Sequence, residues 1–326
     1  MLTVRETGTQ LARRLGTVLE KRAGVRVTRV PRAGAPRHGS NSPGTGGKAG
    51  GKTNGKAGGN GTSGVRRPDV SRFRPPADPA TDRLLVAPVF VLSAPRSGST
   101  LMRVVLDSHS QVHSPIETHV RRLAVRFTTP LVHSAMETLG YEVSDVEHIL
   151  WDRMLHRELL RSGKQVVVEK TPSNVFVADR FAVCWPDARF IFLLRHPASV
   201  ARSWHDADPV RRPMNRAVQH TLKYMVALED VRRRLPGLTV RYEDVTTDPT
   251  AEFRRICDYL ALPWEPEMTA YGEQQHGEFR KGAGDWRDKI RTGSIQPGRT
   301  LPDPDSIPRE LRPMCERWGY VEAAAP

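Results

Sequence analysis

Cysteine is scarce in this sequence, and apolar residues never form a long run. The three cysteines among 326 residues, Cys184, Cys257 and Cys315, lie far apart and include no C-x-x-C pair. Their odd number and wide spacing argue against a disulfide framework and a thiolate zinc site, and are typical of a reducing compartment. No apolar run approaches the length of about 18 residues that a membrane-spanning helix needs, and none of signal-peptide length stands near the N-terminus. We therefore expect a cytoplasmic protein.

Acidic residues are rare in the first quarter of the chain. Residues 1–79 contain 16 Lys and Arg against 4 Asp and Glu, so they carry +12 of the total net charge of +14. The high sequence pI of about 10.2 is therefore a property of this N-terminal arm. Charge gives no reason to expect specific nucleic-acid binding by the nearly neutral remainder, and we expect the basic arm to contact anionic surfaces weakly.

Glycine marks a linker in the same N-terminal part. Twelve glycines lie between residues 34 and 64, and residues 31–79 cannot bury enough apolar area to offset the entropy cost of ordering them. This composition predicts a flexible linker. Residues 10–30 fit either a short basic amphipathic helix or a solvated arm. We predict an arm and linker over residues 1–79 and a single domain over residues 80–326.

A strand, a loop and a helix are predicted around residue 95. A run rich in β-branched residues ends at Ser93, and Leu101, Val104 and Val105 then follow at helical spacing. A loop of small residues that opens a helix presents backbone N–H groups in one direction, which favours an anion-binding site. A tight turn into a core helix is the alternative interpretation.

The spacing Ser93-x4-Gly98-Ser99-Thr100 parallels the phosphate loop G-x-x-x-x-G-K-[ST], with serine in place of the first glycine and of the lysine. The missing lysine would have contacted the β- and γ-phosphates of a nucleoside triphosphate, so its absence argues against ATP hydrolysis or kinase activity. Arg96, within the loop, can instead supply a planar positive charge for a phosphate or sulfate.

Predicted strands and helices alternate over the rest of the chain. Helices are predicted for residues 118–127, 131–160 with a break at Gly140 and an end at Gly163, 198–204 and 216–235, and strands for residues 166–170, 189–194 and 238–242. This order predicts an α/β fold with a parallel β-sheet flanked by helices. Ligands bind at the carboxyl ends of such strands, where Arg96, Lys170, Arg195 and Tyr242 are expected.

Five motifs occur in an order and spacing that resemble one family. They are Ala94-Pro95-Arg96-Ser97-Gly98-Ser99-Thr100-Leu101, Glu117-Thr118, Glu169-Lys170-Thr171-Pro172, Leu194-Arg195-His196-Pro197 with Ser203, and Arg241-Tyr242-Glu243-Asp244. Residues 85–290 resemble the sulfotransferases that use 3′-phosphoadenosine 5′-phosphosulfate, most of all the tyrosylprotein branch and its bacterial relatives. The resemblance implies a P-loop NTPase-like sulfotransferase fold and transfer of a sulfuryl group to an acceptor hydroxyl or amine.

The resemblance also implies roles for individual residues. Arg195 and Ser203 would hold the 3′-phosphate of the donor, and Tyr242 would wall the nucleotide pocket. Lys170 would stabilise negative charge on the departing nucleotide, and Glu117 would act as general base, with His119 as its main rival. The loop residues that would cradle the 5′-phosphosulfate are Pro95, Arg96, Ser97, Gly98, Ser99 and Thr100.

A C-terminal run, residues 280–286, resembles the nucleotide clamp of the family but is one residue shorter, and Arg280 and Lys281 are its candidate contacts with the 3′-phosphate. Sulfuryl transfer moves less charge than phosphoryl transfer, and no histidine stands at metal-ligand spacing from Cys or Asp, so no metal requirement is expected. The sequence leaves a small-molecule, peptide or carbohydrate acceptor open, as well as a homodimer. A nucleotide-binding module without catalysis and a P-loop small-molecule kinase remain the alternatives.

Overall fold

Strands alternate with helices in the computed structural model of the chain, which describes residues 25–29, 73–273 and 290–322. The strands in these ranges are β1 (Val25–Arg29), β2 (Val89–Ser93), β3 (Val112–His113), β4 (Leu123–Phe127), β5 (Val166–Glu169), β6 (Arg189–Leu194) and β7 (Leu238–Arg241). The helices are α1 (Pro79–Asp82), α2 (Ser99–Asp107), α3 (Pro130–Thr138), α4 (Val143–Ser162), α5 (Ala178–Cys184), α6 (Pro197–Asp206), α7 (Met214–Arg234), α8 (Tyr242–Thr247), α9 (Pro249–Tyr259) and α10 (Arg312–Arg317).

Five strands form a parallel sheet in the order β3, β5, β2, β6, β7. Strand β2 lies in the centre and pairs along its whole length with β6, where Phe90 stands beside Phe190. Helices connect the parallel strands, as a crossover between parallel strands requires. The predicted parallel sheet flanked by helices is confirmed.

Both faces of the sheet are buried. Successive residues of a strand point to opposite faces, and in β2 the Phe90 ring stacks on Phe181 of α5, with ring centres 4.4 Å apart. Val91 belongs to the cluster on the other face, together with Val104 of α2 and Phe253 of α9. Burial on two faces explains why the strands read as continuous apolar runs, and each large apolar side chain buried in this way contributes about 1.5–3 kcal/mol.

The helix predicted for residues 118–127 is wrong. A 3₁₀ turn covers Val120–Arg122, and β4 follows it and pairs antiparallel with β1 in a separate two-stranded sheet. The apolar residues of β4 recur at every second position, which also fits a strand. Local periodicity could not decide between helix and strand, because the pairing partner lies far earlier in the chain.

Two glycines end helical segments as predicted. Gly140, with φ of +78°, separates α3 from α4, and Gly163, with φ of +66°, ends α4. Glycine adopts this left-handed conformation without the steric cost that a Cβ atom brings. No helix in the described ranges is both long and apolar enough to cross a membrane.

The chain before residue 80 contacts the domain where the structure describes it. Residues 25–29 form β1, so the helix considered for residues 10–30 does not extend over them, and the remainder of that helix lies outside the described residues. The Phe73 ring lies 4.6 Å from the Arg180 guanidinium, and Arg74 Nη2 lies 2.6 Å from Asp145 Oδ2. The boundary between linker and domain at residue 80 stays a prediction.

Candidate active site

The parallel sheet brings the predicted site residues to one edge. Residues 94–98 follow the central strand β2, and Lys170 follows β5 on one side of it. Arg195 follows β6 on the other side, and Tyr242 follows β7 beyond it. Glu117 comes shortly after β3, which lies next to β5. The strand order therefore divides the site into a β6–β7 half and a β3–β5 half, with the loop between them.

The loop is a tight turn in which two residues have left-handed backbone conformations. Arg96 has φ of +75°, and Gly98, the N-cap of α2, has φ of +91°. A Cβ atom built on Gly98 would lie 2.2 Å from Cδ2 of Tyr242, so only glycine fits under this ring. A non-glycine residue such as Arg96 in this conformation costs about 1–3 kcal/mol, and such strain is concentrated at functional sites.

Arg195 and Ser203 hold the loop from the β6 side. Arg195 Nη1 donates a hydrogen bond to the Arg96 carbonyl oxygen at 2.9 Å, and Arg96 Nε donates to Ser203 Oγ at 3.2 Å. The Arg195 guanidinium also lies 4.1 Å from the centre of the Tyr242 ring. The structure therefore brings together the loop, Arg195, Ser203 and Tyr242, which the sequence resemblance predicts to bind the same nucleotide.

Arg195 has an unused hydrogen-bond donor. Its side chain is largely buried, and burial lowers the pKa of Arg195 from its usual value, although an arginine remains charged near neutrality. The buried Nε has no hydrogen-bond partner among the described residues. A buried donor without a partner costs about 1–3 kcal/mol, and more on a charged group. The donor therefore fits an anionic ligand.

A cavity of about 490 Å³ opens beside Arg195 and Tyr242, a size suited to a small ligand. Residues 297–301 line it as well, although no motif had indicated them. Arg299 in this segment pairs with Asp206 at 3.1 Å, and its charge reinforces the effect of burial in lowering the pKa of Arg195. The only local signal in this segment was the turn-forming Pro297-Gly298 pair.

The β3–β5 half contains an ion pair. Lys170 Nζ donates to Glu117 Oε1 at 2.8 Å, and Lys170 is completely buried while the Glu117 side chain is 11% exposed. His119 Nε2 lies 3.6 Å from the other carboxylate oxygen of Glu117, and its side chain is half-exposed. The two residues predicted to act in catalysis therefore contact each other, and His119 remains beside them as the rival base.

A second carboxylate, Glu169, holds this half together. It is fully buried and accepts hydrogen bonds from Thr118 N at 3.3 Å, from Thr118 Oγ1 at 2.6 Å and from Thr171 Oγ1 at 2.6 Å, and Asn174 Nδ2 also donates to it. Burial raises the pKa of Glu169, although the hydrogen bonds from Thr118 and Thr171 oppose the shift. Glu169 thus ties the chain around Glu117 to the end of β5.

Arg280 and Lys281 lie outside the described residues, and their contact with the 3′-phosphate stays a prediction. In the part of the chain that the structure describes, no group of three His, Cys, Asp or Glu side chains is arranged to hold a metal ion.

Residues 88–266, more than half of the chain, match the profile of the sulfotransferase family. This chain belongs to that family. The nodulation protein NoeE of Sinorhizobium fredii is 26% identical over an alignment of 225 positions, which covers 58% of this chain and 53% of that protein. Protein-tyrosine sulfotransferase 1 of Danio rerio is 26% identical over an alignment of 206 positions, which covers 57% of this chain and 56% of that protein.

The chain spans about half the length of these two relatives, and a structural comparison identifies the fold of the shared part. The sulfotransferase domain of the Synechococcus olefin synthase superimposes with a TM-score of 0.51 at 21% identity, over 79% of this chain and 99% of that domain. The predicted sulfotransferase fold is therefore confirmed.

Proposed function

We propose that this protein moves a sulfuryl group from 3′-phosphoadenosine 5′-phosphosulfate to an acceptor hydroxyl or amine. The observation that carries the proposal is the Glu117–Lys170 ion pair, which stands at the same sheet edge as an anion-binding loop in a member of the sulfotransferase family. An anion loop alone fits many nucleotide-binding proteins. A buried lysine joined to a carboxylate beside it adds the two groups that the transfer step needs.

The donor side of the proposed site consists of residues 94–100, Arg195, Ser203 and Tyr242. The loop residues Pro95, Arg96, Ser97, Gly98, Ser99 and Thr100 would surround the 5′-phosphosulfate at the N-terminus of α2. Arg195 would use its unpaired Nε on the 3′-phosphate, with Ser203 beside it. A charge-assisted contact of this kind contributes about 1.5–3 kcal/mol. Arg280 and Lys281 are proposed as further contacts with this phosphate.

The acceptor side consists of Glu117, His119 and Lys170. In the proposed step the Glu117 carboxylate takes the proton of the acceptor hydroxyl as its oxygen forms a bond to sulfur. The bond between sulfur and the bridging oxygen of the donor breaks in line with the new one. Lys170 stabilises the negative charge that develops on the departing 5′-phosphate, and no metal ion is required.

The acceptor is proposed to be a small molecule, a peptide or a carbohydrate. Some relatives are named for protein tyrosine as acceptor, and a peptide remains within the proposal for that reason. A cytoplasmic location and a homodimer also remain proposals from the sequence.

Calorimetric titration separates this function from a kinase. The protein should bind adenosine 3′,5′-bisphosphate without a metal ion and prefer it to ATP with magnesium, because Ser99 replaces the lysine of nucleoside triphosphate loops. Arg195→Ala should weaken binding of the bisphosphate about tenfold, as expected when a charge-assisted contact is lost, and should weaken binding of adenosine 5′-monophosphate less, because that ligand lacks the 3′-phosphate. A preference for ATP with magnesium would contradict the proposal.

Transfer of labelled sulfate from the donor to a cell extract distinguishes a sulfotransferase from a nucleotide-binding module without catalysis. A sulfotransferase should label a product, and Lys170→Ala should abolish the label while binding of adenosine 3′,5′-bisphosphate persists. Binding without any labelled product would favour the module.

A further inference from the structure

Four aromatic rings contact one another in a row beside the acceptor side. The row, which we call the aromatic wall, consists of Phe176, Tyr224, His220 and Trp204. Neighbouring ring centres are 4.7 Å, 4.8 Å and 4.3 Å apart in that order. Cations lie at both ends: Arg121 and Lys223 are 5.6 Å and 5.5 Å from the centre of the Phe176 ring, and Arg212 is 4.1 Å from that of Trp204.

The elements that carry the proposed site residues also carry the wall. Arg121 lies in the 3₁₀ turn Val120–Arg122 that His119 caps, only four residues after Glu117. Phe176 ends the 3₁₀ turn Pro172–Phe176, which begins two residues after Lys170. At the other end of the wall, Trp204 directly follows Ser203 in α6. The wall is therefore built on the same elements as Glu117, Lys170 and Ser203.

The two cations at the Phe176 end lack acidic partners among the described residues. Arg121 Nε is buried and forms no hydrogen bond, and neither Arg121 nor Lys223 lies within ion-pair distance of a described carboxylate. Arg180, another arginine packed on an aromatic ring, shows the usual arrangement, because it lies 4.1 Å from the Trp151 ring and also pairs with Glu147 at 2.6 Å. The Phe176 end thus holds two positive charges with no carboxylate of the described residues within ion-pair distance.

The charge of Glu117 acts on Tyr224, the second ring of the wall. Burial raises the pKa of Tyr224, the charges of Arg121 and Arg122 oppose that shift, and the charge of Glu117 adds to it. Tyr224 is therefore within electrostatic reach of all three groups. His220 stays neutral near pH 7, because burial and the charges of Lys223 and Arg212 lower its pKa. The positive charge at the Phe176 end accordingly comes from arginine and lysine.

We propose that Arg121 and Lys223, at the Phe176 end of the aromatic wall, bind an anionic group of the acceptor, such as a carboxylate, and so orient its hydroxyl toward Glu117. The proposal rests on the proposed function and deepens it by naming an anionic acceptor as the substrate class. An unpaired pair of cations beside the base attracts an acceptor that carries a negative charge and disfavours one that carries a positive charge.

Two probes of the same shape test the proposal: 4-hydroxyphenylacetate, which is anionic, and 4-hydroxyphenylacetamide, which is neutral. Their binding to the full chain is followed by ligand-observed NMR, with and without adenosine 3′,5′-bisphosphate. We expect the carboxylate to bind more tightly than the amide. The double variant Arg121→Gln/Lys223→Gln should weaken carboxylate binding about tenfold and leave amide binding unchanged.

Controls keep the test independent of folding and of the proposed function. Lys223→Gln alone changes an exposed side chain and should reduce the carboxylate preference in part, whereas Arg216→Gln, exposed near the start of the same helix, should leave it unchanged. Equal binding of the two probes, no detectable carboxylate binding at millimolar concentration, or a preference that survives the double variant would overturn the anion site. A carboxylate preference in a protein that fails to bind the bisphosphate would instead support the anion site and contradict the donor that we propose.

Discussion

The donor side and the acceptor side are held in place by different means. On the donor side, rings and guanidiniums lie directly against the backbone: the Tyr242 ring covers Gly98, and Arg195 donates to the Arg96 carbonyl. On the acceptor side, carboxylates bind side chains. Glu117 forms an ion pair with Lys170, and Glu169 accepts hydrogen bonds from Thr118 and Thr171. Substitutions on the donor side should therefore change affinity and stability together, whereas those on the acceptor side should change the rate.

The largest effect is expected at Glu117. Glu117→Gln keeps the shape of the side chain and removes its basicity, so turnover should fall by about 10²–10⁴-fold, the usual contribution of a general base. Binding of adenosine 3′,5′-bisphosphate should stay unchanged, because the carboxylate belongs to the acceptor side. Single-turnover transfer of labelled sulfate measures the rate, and calorimetry measures the affinity.

His119→Ala is the matched control, because His119 Nε2 lies 3.6 Å from Glu117. If His119→Ala abolishes turnover while Glu117→Gln leaves the rate within about threefold, well below the usual effect of removing a base, then His119 is the base. If neither change lowers turnover but Lys170→Ala does, proton removal does not limit the rate. This is expected when the acceptor is a phenol, whose hydroxyl pKa is low enough for transfer without a general base.

The donor side and the parallel sheet could be predicted from the sequence because their signals are local. A buried strand that ends at a short polar motif gives both the strand and the position of the side chain that follows it, as for Lys170, Arg195 and Tyr242. Once the strands are parallel, those side chains must meet at one edge. The turn at residues 94–98 also has a local sequence signal, because a glycine, Gly98, stands at a position with positive φ.

The aromatic wall could not be predicted in this way. Its members come from a 3₁₀ turn and two helices, and only the packing of α6 against α7 brings Trp204 to His220. The error at residues 118–127 has the same origin, because β4 is a strand through its pairing with β1. The contact of residues 297–301 with the cavity also depends on packing between distant segments.

A smaller effect is expected at Gly98. Ala at this position must adopt φ of +91° and would collide with the Tyr242 ring. The conformation costs roughly 1–2 kcal/mol, and the collision adds about 1–3 kcal/mol unless the ring moves. Gly98→Ala should therefore lower the free energy of unfolding and weaken binding of adenosine 3′,5′-bisphosphate together, as measured by urea denaturation and calorimetry.

Gly140→Ala separates conformation from collision. Gly140 has φ of +78° and nothing within 4 Å of a Cβ atom built on it. This variant should lose only the conformational part, on the order of 1 kcal/mol, and should bind the nucleotide normally. Equal losses of stability in the two variants, with intact nucleotide binding in both, would show that the contact between Gly98 and Tyr242 does not shape the donor side.

The smallest effect is expected when the chain before residue 80 is removed. Any change in function should concern binding of the acceptor. Chains that start at residues 73 and 80 both lack β1 and so expose β4, which directly follows the turn with Arg121. The shorter chain also loses the contact of Phe73 with Arg180, a cation–π interaction of about 0.5–1 kcal/mol, so its Tm should be about 1–4 °C lower than that of the longer one. Both should bind adenosine 3′,5′-bisphosphate like the full chain, and any change should appear in the KM for the acceptor.

Failure of the shorter chain to bind the nucleotide, while the longer one binds it, would place residues 73–79 inside the domain and move the boundary predicted at residue 80.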